Sequence, residues 1–273
     1  MNKLKVIVIG LGRIGLKNGL DLKRKQPASH IAAIIKNKDL QLIGVCDPDE
    51  KSRNLFLQTY KEKIDIFSEP SKIFDYIENV GCDIIVIATP ETTHSKILED
   101  VINKFNNIQE PMIIFCEKPI ALDTSSATKL QTMLKNPNLK IVVHHNRRWS
   151  KIWQEAYTLL ADIGEITNAA FYFSTSPENK KLDQMRDGIH IADIISWFGI
   201  KGKTSINRQN VSYFMYDFYL WGTNGKIEIL NVDQVLNFYK VKESKRFEGF
   251  KELEIVHTRK IDESTFSNVY AEF

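Results

Sequence analysis

Residues 4–9, Leu-Lys-Val-Ile-Val-Ile, run straight into Gly10-Leu11-Gly12-Arg13-Ile14-Gly15. A nearly unbroken apolar, β-branched run reads as a strand buried on both faces, as strands of a parallel sheet are. Similar runs recur at residues 40–46, 83–88, 112–116 and 139–144. Helix-period stretches alternate with them at 13–25, 30–37, 51–59, 71–79, 95–105 and 124–134, with Asp123 or Thr124 as the cap of the last. This alternation predicts an α/β domain over residues 1–145, a Rossmann-type doubly wound parallel sheet. From residue 146 the pattern changes. Helix candidates lie at 151–160 and 187–198, among longer alternating segments at 165–174, 211–220, 226–231, 234–241 and 253–259. Residues 146–273 therefore read as an α+β domain with an open, mostly antiparallel sheet, and Trp221-Gly222-Thr223-Asn224-Gly225 reads as a hairpin turn. Aromatics crowd both faces of segment 211–220, so one face is expected to meet helices and the other a partner chain, in a homodimer or homotetramer.

Composition narrows the function classes. The 273 residues carry 37 Lys+Arg against 34 Asp+Glu, a net charge of +3, and 43% are hydrophobic. That apolar content excludes a disordered chain. The near-neutral charge gives no electrostatic footprint for nucleic acid. No run approaches the roughly 20 apolar residues of a membrane span, and Val6–Ile9 is too short for a signal peptide. Cys46, Cys82 and Cys116 are widely spaced, with no C-x-x-C pair, so neither a disulfide framework nor a zinc knuckle is expected and a reduced, cytoplasmic setting is. No metal is expected either. His144 and His145 are neighbours on a strand and point to opposite faces, one packed and one in the cleft, while His190 and Asp193 lack a third ligand.

The glycine segment follows a buried strand and opens a helix pattern, the context in which G-x-G-x-x-G lets backbone N–H groups approach a pyrophosphate. Asp47 ends the second strand, where a carboxylate accepts both ribose hydroxyls of NAD and repels the extra phosphate of NADP. NAD is thus the expected cofactor and NADP the less favoured one. The spacing from Gly10 to Asp47 exceeds the usual 20 or so residues, an excess attributed to an insertion near 27–37. At the end of the strand 112–116 stands Glu117-Lys118-Pro119, where a lysine can point its ammonium at a substrate hydroxyl.

Taken together, these residues resemble the glucose–fructose oxidoreductase, inositol dehydrogenase and MocA family, written Gfo/Idh/MocA, over nearly the whole chain. Gly10, Gly12, Arg13, Ile14 and Gly15 look like its dinucleotide loop. Thr89-Pro90 with His94 resembles its fourth-strand motif beside the cofactor, and Glu117-Lys118-Pro119 its signature tripeptide, also at the cofactor. Asn146-Arg147-Arg148-Trp149 resembles the entry to its second domain, and Asp187-Gly188-Ile189-His190-Ile191-Ala192-Asp193 its catalytic helix. The resemblance implies a nicotinamide-dependent oxidoreductase acting on a sugar, nucleotide-linked sugar or cyclitol, with Lys118 orienting the hydroxyl and His190 removing its proton. Many members carry an aspartate four residues before that histidine; here Arg186 stands there. Asp187 either takes its place or is a helix-start charge. Arg186, with Arg147 and Arg148, suits an anionic substrate. Two other functions fit the same residues: a non-catalytic cofactor-binding sensor, or an enzyme that uses NAD with no net redox change.

Overall fold

The computed structural model describes residues 3–61, 63–174, 182–264 and 266–270, and side chains among these except at 182–187. The chain divides into two compact units, residues 1–146 with 264–273, and residues 147–263.

In the first unit the buried runs become parallel strands. β1 (Leu4–Ile9), β2 (Leu40–Cys46), β3 (Asp65–Phe67), β4 (Ile84–Ile87), β5 (Met112–Glu117) and β6 (Leu139–His144) form one sheet in the order β3-β2-β1-β4-β5-β6. Every neighbouring pair is parallel. Strand order runs outward in both directions from β1 and β4, so the crevice between their carboxyl ends is the expected ligand position. Helices α1 (His30–Lys36), α2 (Glu50–Thr59), α3 (Pro70–Val80), α4 (His94–Phe105) and α5 (Thr124–Met133) connect the strands. Short polar side chains start several of them. Ser29 accepts from the Ala32 N–H, Asp49 from those of Lys51 and Ser52, and Asp123 from that of Ser126. The apolar stripes of α3 and α4, including Ile73, Ile77, Leu98 and Val101, pack with Ile85, Ile87 and Ile114 of the sheet.

One expected helix is absent. Residues 13–25 form turns and a single 3-10 stretch at Lys17–Leu20, and the regular helix begins only at His30. Gly15 and Gly19 each weaken a helix by about 1 kcal/mol, and Leu22 is fully exposed, so continuation would bury nothing. The long spacing from Gly10 to Asp47 thus comes from this turn-rich segment placed ahead of α1, and residues 30–36 are the connecting helix itself. The short β3, bounded by polar residues, gave no apolar run to read.

In the second unit α6 (Lys151–Thr158), α7 (Leu160–Ile163) and α8 (Leu182–Trp197) accompany a sheet of β7 (Ile166–Ser174), β8 (Lys203–Gln209), β9 (Tyr216–Gly222), β10 (Gly225–Leu230), β11 (Val235–Glu243) and β12 (Lys251–Lys260). Its order is β12-β11-β10-β9-β7-β8, antiparallel throughout except between β7 and β8. Alternation assigns the faces. Phe171, Phe218, Leu220, Ile227, Ile229 and Leu236 pack with Ile152 and Trp153 of α6 and Ile191, Ile194 and Phe198 around α8. Tyr172, Asp217, Tyr219, Trp221, Lys226 and Tyr239 occupy the opposite face, where they are partly exposed. β9 starts at Tyr216 rather than 211. β8, an edge strand with Ile206 56% exposed, lacks the apolar alternation that would have announced it.

The C-terminal stretch corrects the expected boundary. Residues 264–270 return to the first unit, where Phe266, Val269 and Tyr270 are buried. The Ser264 hydroxyl donates to the Pro27 carbonyl, and Asn37 Nδ2 donates to the Tyr270 carbonyl at 2.9 Å. Among the described residues no helix is long and apolar enough to cross a membrane, and the three cysteines are free.

Candidate functional site

At the carboxyl end of β1, Gly10 has φ +106°, and an added Cβ would lie 2.6 Å from the Ala88 backbone. A Cβ on Gly15 would lie 2.0 Å from the Gly10 carbonyl oxygen. Gly10 and Gly15 thus make the turn and its close packing, whereas a Cβ on Gly12 meets nothing within 4 Å. Open space beside Gly12 is the cradle a pyrophosphate requires. Arg13 and Ile14 continue the loop, whose turn is closed by Leu16 and Lys17 N–H groups donating to the Gly12 carbonyl, both at 3.0 Å.

Asp47 stands beside this loop. Its Oδ2 accepts from the Leu11 N–H at 2.6 Å and its Oδ1 from the Asp49 N–H at 2.8 Å. Each carboxylate oxygen retains a second lone pair for a ribose hydroxyl. Arg53 donates to the Asp47 and Pro48 carbonyls, both at 2.8 Å.

Thr89 and Pro90 follow β4. The Thr93 hydroxyl bonds to that of Thr89 at 2.7 Å and the Thr93 N–H to the Pro90 carbonyl at 2.9 Å. His94 does not fit the role of an open cofactor contact. It is 1% exposed, with Nδ1 2.7 Å from the Pro119 carbonyl oxygen and Nε2 2.9 Å from that of Thr89. Both ring nitrogens face backbone carbonyl oxygens, so the ring is packed between the loop after β4 and the tripeptide at the end of β5.

Glu117 also departs from the expected cofactor contact. Its carboxylate lies inside the unit, with Oε1 accepting from His144 Nδ1 at 2.6 Å and His30 Nε2 at 2.9 Å. Burial alone would raise its pKa, but the charge and hydrogen bond of His144 and the hydrogen bond of His30 hold it well below the usual carboxylate value. Burial lowers the pKa of His30 and raises that of Tyr270, whose hydroxyl meets His30 Nδ1 at 2.6 Å. Lys118 follows at the strand end, half-buried, and the Lys118–Pro119 peptide is cis. His144 is the packed member of the His144-His145 pair, at 2% exposed, and His145 is partly exposed.

In the second unit, His190 and Asp193 share one face of α8, and His190 is partly exposed. Arg148 makes a two-nitrogen ion pair with Asp193, at 2.7 Å from Nη2 and 3.1 Å from Nε, and its guanidinium carbon lies 5.6 Å from the Trp197 ring centroid. Arg147 is not placed as a substrate contact. It is 7% exposed, paired with Asp233 at 3.3 Å and set 3.8 Å from the Tyr216 ring centroid, while Trp153 Nε1 donates to the same Asp233 at 2.9 Å. A buried guanidinium held this way anchors the start of the unit. The side chains of Arg186 and Asp187 lie outside those described.

The first unit therefore gathers the glycine loop, Asp47, Thr89-Pro90 and Lys118 at the carboxyl edge of one sheet. His30, Tyr270 and Asp233 were invisible to sequence reasoning. Their partners lie 87, 240 and 86 positions away in the chain, and no local spacing marks such pairs.

Comparison with known proteins agrees with this architecture. Residues 4–145, more than half of the chain, match the Gfo/Idh/MocA model, described as an oxidoreductase family with an NAD-binding Rossmann fold. Inositol 2-dehydrogenase of Rhizobium meliloti is 27% identical over 162 residues, covering 58% of this chain and 42% of that protein. The scyllo-inositol 2-dehydrogenase (NAD(+)) of Bacillus subtilis is 24% identical over 176 residues, covering 63% and 44%. The matches thus span less than half the length of these curated relatives. Among solved structures, the WlbA dehydrogenase of Bordetella pertussis, in complex with NADH and UDP-GlcNAcA, superposes with a TM-score of 0.66 at 16% identity, over 85% of this chain and 79% of that one. With the parallel sheet, its glycine turn and a family match across residues 4–145 in hand, we conclude that this chain belongs to the Gfo/Idh/MocA oxidoreductase family.

Proposed function

We propose that the chain is an NAD-dependent dehydrogenase acting on a hydroxyl-bearing carbon of a cyclitol, sugar or nucleotide-linked sugar. The observation that carries this reading is the row at the carboxyl edge of the first sheet: an open cradle at Gly12, a carboxylate at Asp47 and a lysine at Lys118. When bound, the nicotinamide supplies the hydride acceptor or donor. Gly10, Gly12 and Gly15 leave room for the pyrophosphate, and Asp47 accepts from the ribose. Lys118 orients the reacting hydroxyl, and His190 takes its proton. The names of the two inositol dehydrogenases and of the WlbA complex support this substrate range. Arg148, 44% exposed although paired with Asp193, is the cation we assign to an anionic substituent of the substrate.

The outward face of the second sheet, with Tyr172, Tyr219, Trp221 and Tyr239, is the surface through which we expect two copies to associate. Sedimentation equilibrium should give a dimer or tetramer.

The functional reading is tested by titrating the protein with NADH and with NADPH, following energy transfer from tryptophan. NADH should bind at least tenfold more tightly, because Asp47 repels a 2′-phosphate. The titration is followed by turnover assays on myo-inositol, scyllo-inositol and UDP-sugars. Lys118→Met and His190→Ala should abolish turnover and leave NADH binding within a few-fold. Turnover that survives either substitution refutes the assignment of that residue.

A further inference from the structure

About two turns beyond His190, α8 carries an aromatic stack that the proposed dehydrogenase reading does not use. The Trp197 ring lies nearly parallel to the Tyr157 ring of α6, with 12° between their planes and 5.3 Å between centroids. Phe198, which is buried, meets the two rings edge-on, 5.8 Å from Tyr157 and 5.2 Å from Trp197. Tyr157 is nevertheless 44% exposed, and Trp197 is partly exposed. The stem of a lysine or arginine would cover Phe198 as well. A pair of parallel rings offers, in addition, a flat π-surface of the kind on which nucleobases stack.

Arg148, from the 3-10 turn before α6, stands at the same stack, its guanidinium carbon 5.6 Å from the Trp197 centroid. Asp193 holds its Nε at 3.1 Å and its Nη2 at 2.7 Å, which fixes the plane of the guanidinium. Nη1 carries two further N–H groups that no bond among the described residues engages. The Asp193 side chain is 8% exposed and that of Arg148 44%, so the pair turns donors rather than acceptors to solvent. A planar, prealigned guanidinium of this kind suits a phosphate oxygen.

Each helical residue advances about 1.5 Å and turns about 100°. Asp193 and Trp197 therefore follow His190 on one face of α8, about 4.5 and 10.5 Å further along its axis. The face presents His190 first, then the guanidinium held by Asp193, then the Trp197–Tyr157 stack. A nucleotide-linked sugar presents its parts in the same order: the sugar, the diphosphate, then the ribose and base.

We infer that Trp197 and Tyr157 are the base platform, and Arg148 the diphosphate contact, for the nucleoside diphosphate of a nucleotide-linked sugar. That selects one class from the substrates proposed above, and it rests on the reading of His190 as the residue that meets the reacting hydroxyl. Every base has a π-face, so stacking selects a nucleoside diphosphate and not one particular base. A free sugar or cyclitol would leave the stack uncovered.

The test is calorimetric titration of the full chain with UDP, CDP, GDP and, separately, inorganic pyrophosphate. Excess NADH is present throughout, to compete for the pyrophosphate cradle at Gly12. At least one nucleotide should bind more tightly than pyrophosphate, by about tenfold or more. Tyr157→Ala should remove that advantage, whereas Tyr157→Phe, which keeps the ring, should retain it. Tyr157→Leu, which covers Phe198 without a π-face, should behave as Tyr157→Ala does and decides the matter where the alanine variant fails to fold. Arg148→Gln should weaken nucleotide and pyrophosphate alike. The Kd for NADH should not change in the Tyr157 variants. Absence of nucleotide binding at millimolar concentration overturns the inference. So does wild-type nucleotide affinity in Tyr157→Leu, the result expected if the stack only covers Phe198. Turnover is then measured on sugars linked to these nucleotides and on myo-inositol. Turnover of myo-inositol without nucleotide binding overturns the platform and supports the dehydrogenase reading. Nucleotide binding that depends on Tyr157, with no turnover of any substrate, supports the platform and counts against that reading.

Discussion

Arg147 and Glu117 show how burial changes the meaning of a charged residue. Read along the chain, an arginine beside a second arginine is a substrate contact. In the fold, Arg147 is sealed against Tyr216 and held by Asp233, which also accepts from Trp153. Breaking a buried pair by removing one partner leaves an uncompensated charge, at a cost of about 3–5 kcal/mol. Asp233→Asn keeps the shape, the Trp153 hydrogen bond and a residue tolerant of φ +65°. It should still lower the urea-unfolding free energy by about 3 kcal/mol; a loss under 1 kcal/mol would show the pair to be dispensable. Glu117 and His30 give the molecule an acid limit. His30 has a lowered pKa in the fold, so between that value and 6.5 the unfolded chain binds a proton that the native one refuses, and stability falls as pH falls. Glu117, also lowered, extends the decline below pH 4.5 with the same sign. Each such group contributes at most about 1.4 kcal/mol per pH unit. Urea midpoints at intervals from pH 7.5 to 4 should therefore drop, beginning near 6.5, and His30→Gln should flatten the first part of the curve.

Between β10 and β11 the chain turns through Asn231, Val232 and Asp233, with φ of 54°, 55° and 65°. Three successive left-handed residues are unusual, and a β-branched one among them is strained by roughly 1–2 kcal/mol. The turn is held by the Asn231 N–H donating to Asp217 at 3.0 Å and by Asn231 Nδ2 donating to Gln234 at 2.8 Å. Val232→Gly should raise the thermal midpoint, with a gain of about 1 kcal/mol; a lower midpoint would mean that the valine side chain contributes packing that outweighs the strain. The same contrast separates what was legible in the sequence from what was not. β1, β2, β4 and β5 were readable because burial on both faces demands apolar residues almost throughout, and β6 because its apolar run persists at the partly buried sheet edge. The cap at Asp123 was readable from local hydrogen bonding, whereas those at Ser29 and Asp49 were not read. The places of the glycine loop, Asp47 and Lys118 were readable because each directly follows the end of a strand with a legible apolar run. The expected helix at 13–25 failed because its apolar residues are not followed by a surface to bury, as exposed Leu22 shows. β3 and β8 were missed because a short strand and a polar edge strand have no apolar pattern. His94, Glu117 and Arg147 were assigned outward roles because nothing local distinguishes a polar residue facing a cleft from one facing a buried partner.

Over the whole molecule, the first unit is completed only by residues that follow the second unit in sequence. Phe266, Val269 and Tyr270 are 5%, 0% and 3% exposed, although more than a hundred residues of the second unit intervene between them and β6. Burying an apolar or aromatic side chain of this size stabilises by about 1.5–3 kcal/mol, so removing all three costs on the order of 5 kcal/mol, a large part of what a domain possesses. A chain ending at Glu263 should accordingly lose at least 10 °C of thermal midpoint in the first unit, or accumulate as insoluble protein. Tyr270→Phe, which retains the packing and removes one hydrogen bond worth about 1 kcal/mol, should shift the midpoint by only a few degrees. Comparing the two by calorimetry separates the packing contribution of the C-terminal stretch from its hydrogen bond to His30. If the truncated chain melts as the full chain does, the stretch contributes little to stability, and its burial against α1 and β5 would have to be explained by the polar chain through His30 and Glu117 alone. If truncation is costly while Tyr270→Phe is nearly neutral, the C-terminus is first a part of the core. The hydroxyl it presents to His30 then orients that ring toward the Glu117 carboxylate and adds little to the stability of the fold.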